Sequence, residues 1–119
     1  MTQDINKLGF KSIAGDYDLF FIDIWGVIHN GINLHKDAVE VLKSLFEMEK
    51  EFILLTNAPR PNRNVNDFLL RMGLNEKYTS KVYTSGQAAL NYLIKNYKAN
   101  LFYHIGPQEI LDYFKNLKI

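Results

Sequence analysis

Apolar positions in this chain come in short runs separated by amphipathic stretches. Leu19-Phe20-Phe21-Ile22-Asp23-Ile24 is a near-continuous apolar run, the pattern of a strand covered on both faces in a parallel sheet. Phe52-Ile53-Leu54-Leu55 is a second such strand, and it stops at Thr56-Asn57-Ala58-Pro59, where proline removes a ladder N–H. From Asp37 to Met48, Ala38, Val39, Val41, Leu42, Leu45 and Phe46 recur at helical spacing among charged residues, which predicts an amphipathic helix. Asn62 is the expected N-cap of a further helix carrying Val65, Phe68, Leu69 and Met72 and closed by Gly73. Val82-Tyr83-Thr84 reads as a strand, with Ser85 expected to cap a helix through Leu93 and Ile94. Leu101 to Ile105 reads as a fourth strand, followed by Gly106-Pro107 and a helix bearing Ile110, Leu111 and Phe114. Residues 1–17 read as a short leading helix with a turn at Gly15 and Asp16, and His29-Asn30-Gly31 carries a hairpin signal that predicts a small flap. Strand and helix alternate, so the expected fold is α/β with parallel strands and right-handed crossovers.

Composition narrows the class. The 119 residues suit one small domain, 47% are hydrophobic, and fourteen basic against thirteen acidic residues leave a net charge of +1. That balance argues against a nucleic-acid binder, which would carry a broad basic surface. With no cysteine there is no disulfide, thiolate metal site or Cys nucleophile, which suits a reducing compartment. The polar start has no apolar core of a signal peptide, and no apolar run approaches the roughly 20 residues of a membrane span. The expected location is the cytoplasm, away from membranes.

In open α/β sheets ligands bind beyond the carboxyl ends of the strands, so the strand-ending residues are the informative ones. Asp23 and Thr56 hold those places. A carboxylate after Phe20-Phe21-Ile22 is costly to bury unless a cation or a hydrogen-bond network balances it. It can tether a loop, or it can attack phosphorus and form an aspartyl-phosphate. The attack calls for a divalent cation and for a donor to the phosphoryl oxygens, which Thr56 and the Asn57 amide could supply.

Taken together, Phe21-Ile22-Asp23-Ile24-Trp25-Gly26-Val27-Ile28-His29-Asn30-Gly31 and Leu54-Leu55-Thr56-Asn57-Ala58-Pro59-Arg60 resemble motifs I and II of the haloacid dehalogenase superfamily, class IIA, the NagD-like phosphatases. Thr84-Ser85-Gly86-Gln87-Ala88-Ala89 and Tyr103-His104-Ile105-Gly106 resemble segments that follow in that class, and the resemblance runs from about Asp18 to the end. It implies a Rossmann-like core and Mg2+-dependent hydrolysis of a small phosphorylated metabolite. Asp23 would be nucleophile and metal ligand, the Trp25 backbone carbonyl a second ligand, and Thr56 with Asn57 the phosphate site. Gly26 would sit in the turn entering the flap, with Asn30 and Gly31 at its tip.

This chain departs from the family pattern in two respects. The family's general acid is an aspartate two places after the nucleophile, where Trp25 stands, and an indole has no proton to give a leaving oxygen. A rate contribution of roughly 10²–10⁴-fold is thereby missing from that position. The family's motif III lysine and motif IV acidic pair belong to sequence beyond the cap domain, and Lys115 and Lys118 read as solvent-facing helix residues. The expectation is therefore a truncated core, with residues 1–80 its N-terminal half and 81–119 the start of a C2-type cap. The strand from Leu19 to Ile24 would then have an unpaired edge, inviting self-association or a separately encoded C-terminal half. The rival reading is a non-catalytic remnant or phosphate-binding module; a phosphoacceptor receiver domain fits less well, since its aspartate ends a later strand.

The other polar candidates have simpler readings. His29 and His35 read as solvated loop residues beside the flap, and His104 as a packing residue within a strand. Arg60 and Arg63 stand where a phosphate could be attracted to a helix start, or are solvated. The tyrosines are spread over separate elements, which does not make a nucleic-acid stacking platform.

Overall fold

In the computed structural model, which describes residues 4–97 and 101–115, the predicted alternation is present. The elements are α1 (Ile5–Leu8), α2 (Lys11–Ala14), β1 (Leu19–Asp23), α3 (Lys36–Glu47), β2 (Glu51–Thr56), α4 (Asn62–Arg71), α5 (Glu76–Thr79), β3 (Val82–Thr84), α6 (Ser85–Asn96) and α7 (Gln108–Lys115). The strands form one parallel sheet in the order β1-β2-β3. The fold is α/β, as the pattern predicts.

Register explains how the sheet is buried. Phe20 pairs with Phe52 and Ile22 with Leu54, and these side chains share one face with Thr56, Val82 and Thr84. That face is the core: Phe52 and Leu54 are fully buried there with Leu42 and Leu45 of α3 and Leu69 of α4. The opposite face holds Leu19, Phe21, Leu55 and Tyr83, 39–66% exposed. Double coverage of β1 is therefore corrected, because no described helix lies across this second face. β1 is also the outer strand of the sheet, so its far edge has no partner among the described residues. The Cα radius of gyration is 17.1 Å, against about 13.5 Å for a compact domain of this length.

Several local expectations are revised. The leading segment forms two short helices, not one. Leu101 to Ile105 is not a strand; Leu101, Tyr103 and Ile105 are 103%, 92% and 89% exposed, with no neighbouring strand among the described residues to bond. His104 accordingly lies outside the sheet, its ring 6.4 Å from that of Phe114. The cap positions move by one residue: Pro61 precedes α4 and Thr84 caps α6, its hydroxyl accepting from the Gln87 N–H at 2.9 Å. β3 hydrogen-bonds to β2, so the sheet extends to Thr84. No described helix is long and apolar enough to cross a membrane.

Candidate functional site

Asp23 and Thr56 end adjacent parallel strands. Asp23 stands in register with Leu55, so Thr56 is one residue further along the neighbouring strand. These two residues, with Phe21, Leu55 and Asn57, line a single open cleft of about 370 Å³. Among the described residues the Asp23 carboxylate has no ion-pair or hydrogen-bond partner. The loop-tethering reading of this carboxylate therefore has no contact to support it.

Thr56 is buried, and its hydroxyl oxygen accepts from the Ala58 N–H at 3.2 Å. That bond curls the chain at the strand end and leaves the hydroxyl proton to donate elsewhere. The Asn57 N–H, next in sequence, meets no acceptor among the described residues. One hydroxyl donor and one amide donor thus belong to residues that share a cleft with an unpaired carboxylate, a combination suited to an oxyanion near a nucleophile.

The loop after Thr56 is held from an unexpected direction. Gly86 N–H and the Ser85 hydroxyl both donate to the Ala58 carbonyl at 3.1 Å, and the Thr84 hydroxyl donates to the Arg60 carbonyl. Asn62 is not a cap but a bracket: its Oδ1 accepts from Thr84 N–H at 2.9 Å, while its own N–H donates to Gln87 Oε1 at 3.2 Å. A Cβ on Gly86 would come 2.5 Å from the Pro59 carbonyl carbon, so only glycine permits this approach. The local Thr84-Ser85-Gly86-Gln87 sequence marks the clamp; its target, 22 residues or more upstream, leaves no periodic signal.

The flap is a turn-rich loop tied to the end of β1, without the ladder of a two-stranded hairpin. Val27, Ile28 and His29 all donate their N–H groups to the Ile24 carbonyl, and Asn30 Oδ1 accepts from Ile32 and Asn33. Gly26 and Gly31 have φ of +79° and +91°. The Trp25 indole covers the tip so closely that a Cβ on Gly31 would lie 2.7 Å from it.

His29, expected to be solvated, is only 4% exposed. Its ring lies edge-on between Trp25 and Phe68, with centroids 5.3 Å from each, and its Nδ1 accepts from the Gly31 N–H at 2.9 Å. Burial, and then the nearby His35, lower its pKa below the ordinary 6.5. The cavity that His29 lines, about 310 Å³, shares Thr56 and Asn57 with the Asp23 cleft and also includes Trp25 and Arg60. Arg63 faces a different hollow, between α4, α6 and α7, and His35 is exposed.

The oxygen donors that the family resemblance points to are the Asp23 carboxylate and the Trp25 carbonyl; both are without a hydrogen-bond partner among the described residues. Mg2+ characteristically takes one or two protein oxygens and completes its shell with water or phosphate, so donors of this chemistry and number suit it. No group of three or more acidic or histidine ligands occurs among the described residues.

Residues 20–119 match the family described as haloacid dehalogenase-like hydrolase. Among solved structures, a hydrolase of the haloacid dehalogenase-like family from Brucella suis 1330 is similar with a TM-score of 0.77 and 28% identity, over 92% of this chain and 40% of that one. A 4-nitrophenylphosphatase from Thermotoga maritima shares the fold with a TM-score of 0.71 and 22% identity, over 87% of this chain and 40% of its own. A possible sugar phosphatase of the HAD superfamily from Cytophaga hutchinsonii ATCC 33406 gives 0.72 and 21%, over 87% and 37%. The chain thus spans about 40% of the length of these relatives. No curated protein matches it significantly.

Proposed function

The chain belongs to the haloacid dehalogenase-like hydrolases, and on that premise we propose that it carries the nucleophile side of an Mg2+-dependent phosphatase acting on a small phosphate monoester. The observation that carries this reading is the shared cleft: Asp23, whose carboxylate is unpartnered among the described residues, lines it together with Thr56 and Asn57 at the carboxyl ends of neighbouring strands.

Asp23 attacks phosphorus through a carboxylate oxygen, the ester bond to the leaving oxygen breaks, and an aspartyl-phosphate forms on this residue. Thr56 and Asn57 donate to the phosphoryl oxygens and hold them in line. Asp23 and the Trp25 carbonyl would hold Mg2+, which supplies charge neutralisation of the phosphoryl group. Water then hydrolyses the acyl phosphate and restores Asp23. Trp25 leaves the place of the family's general acid without a proton donor, so turnover by this chain is slow.

The open face of Phe21, Leu55 and Tyr83 and the free edge of β1 support a partner: a further strand-bearing segment, separately encoded, or a second copy of the chain. The substrate is a small phosphorylated metabolite, with no nucleic acid or membrane involved. The action is cytoplasmic, in keeping with the absence of cysteine. By this reading residues 1–80 form the first half of the core, and the cap begins within 81–119.

Trp25 also favours a second reading, a phosphate-binding module without turnover. Hydrolysis of p-nitrophenyl phosphate with Mg2+, compared between wild type and Asp23→Asn, separates them. Slow turnover lost in Asp23→Asn supports the phosphatase; turnover that survives the substitution removes Asp23 from the mechanism. Saturable phosphate binding without turnover selects the binding module.

A further inference from the structure

From Thr56 onward, every second residue of the chain is joined to the start of α6. Thr56 pairs in register with Thr84 across the sheet. The Ala58 carbonyl accepts from the Gly86 N–H and from the Ser85 hydroxyl, and the Arg60 carbonyl accepts from the Thr84 hydroxyl. Asn62 is bonded to both Thr84 and Gln87. Attachments at 56, 58, 60 and 62 thus fix a segment that belongs to no strand or helix between Asn57 and Pro61. Pro59 and Pro61 restrict it further, because each locks its own φ and brings no N–H to divert a bond.

Ala58 is where this bracket meets the phosphate donors. Its carbonyl is gripped from α6, and its N–H donates to Thr56 Oγ1 at 3.2 Å. A residue held at its carbonyl cannot swing its N–H freely, so the grip steadies the bond to Thr56. That bond occupies a lone pair of the hydroxyl oxygen and leaves the hydroxyl proton for an acceptor outside the loop. Asn57 stands between the two attached residues 56 and 58, so its unbonded N–H is restrained from both sides. Donors ordered before the ligand arrives cost no ordering on binding.

We propose that Thr84, Ser85 and Gly86 are positioning residues of the phosphate site, acting through Ala58 to preorganise the Thr56 hydroxyl and the Asn57 N–H. The helix that leaves the sheet after β3 thereby tunes phosphate affinity without touching the ligand. This coupling rests on the phosphate reading of the Asp23 cleft. Linkage makes it reciprocal: the factor that the clamp adds to phosphate affinity is the factor by which phosphate stabilises the clamp.

Ser85 is exposed, and alanine is the better helix former, so Ser85→Ala removes the hydroxyl bond to Ala58 with little effect on folding. The wild-type chain, Ser85→Ala and Ser85→Thr are titrated with inorganic phosphate in the presence of Mg2+ while the amide resonances of residues 56–58 are followed. Hydrogen exchange of the Gly86 N–H is measured with and without saturating phosphate. Ser85→Ala binds phosphate about three- to tenfold more weakly at an almost unchanged melting temperature, and Ser85→Thr, which keeps the hydroxyl, binds as wild type does. In the wild-type chain phosphate slows Gly86 exchange several-fold. Wild-type affinity in Ser85→Ala, together with Gly86 exchange indifferent to phosphate, overturns the coupling and leaves the phosphate site standing. A loss that Ser85→Thr does not restore overturns the role of the hydroxyl. Wild-type amides unmoved by phosphate overturn the phosphate reading itself and the coupling with it.

Discussion

The backbone N–H of Gly31 donates to Nδ1 of His29 at 2.9 Å, closing the flap over an imidazole that burial keeps neutral. Protonation of Nδ1 would break this bond and place a charge among Trp25 and Phe68. Folding therefore lowers the His29 pKa below its unfolded value of 6.5, and the unfolded chain takes up its proton first as pH falls. The contribution of His29 to stability is full above pH 6.5 and declines as pH drops below it. Melting temperature measured from pH 8 to 5.5 should fall over the lower part of that range, and the His29→Asn variant should lack that component.

Gly31 is constrained twice, by its φ of +91° and by the Trp25 ring 2.7 Å from where a Cβ would stand. Gly31→Ala should cost about 1–2 kcal/mol for the backbone conformation alone, and more for the clash. Adding Trp25→Ala should recover the clash component and not the backbone component. Denaturant unfolding of the two single variants and the double variant measures the coupling.

The clamp around Ala58 and Arg60 makes a separate prediction. Thr84→Val removes the cap of α6 and the hydroxyl bond to the Arg60 carbonyl together, and should destabilise by about 2–4 kcal/mol. Gly86→Ala forces the 59–60 backbone away and should shift the amide resonances of residues 56–60 in addition to lowering stability. Unaltered resonances in Gly86→Ala would mean that α6 does not set the position of the loop.

The open sheet face predicts association. Phe21 is 66% exposed on the outer strand, where an apolar side chain and a free strand edge coincide. Sedimentation of the wild-type chain should show concentration-dependent self-association, and Phe21→Lys should reduce it. A monomer at all concentrations, with a cooperative melt and no binding of a hydrophobic dye, would contradict an unsatisfied face.

Periodicity and chain punctuation made the three strands and the helices α3, α4, α6 and α7 legible, because each is determined by local pattern and by residues such as Pro59 and Gly73; the short α5 gave no such signal. Leu101 to Ile105 misled for a physical reason: β-branching and aromatic content favour a strand, but a strand exists only with a neighbour to bond. The run Leu19 to Ile24 likewise reads as doubly covered, whereas the described helices pack only against the face of Phe20 and Ile22. Asn62 and Ser85 have good cap chemistry, yet Asn62 bonds Thr84 and the cap of α6 is Thr84 itself. Asp23, Thr56 and Asn57 could be singled out as candidates because strand ends are where α/β sheets place ligands, and they lie at the ends of β1 and β2 in one cleft. The burial of His29 was not, since it depends on Phe68, which the fold brings across from α4.

Amide chemical-shift titration with inorganic phosphate and Mg2+, on wild type and Asp23→Asn, tests the central claim most directly. The account predicts saturable shifts at Thr56, Asn57 and Ala58 in wild type, altered in Asp23→Asn and absent from distant helices such as α2. Shifts that do not saturate, or that centre elsewhere on the chain, would contradict a phosphate site at the ends of β1 and β2.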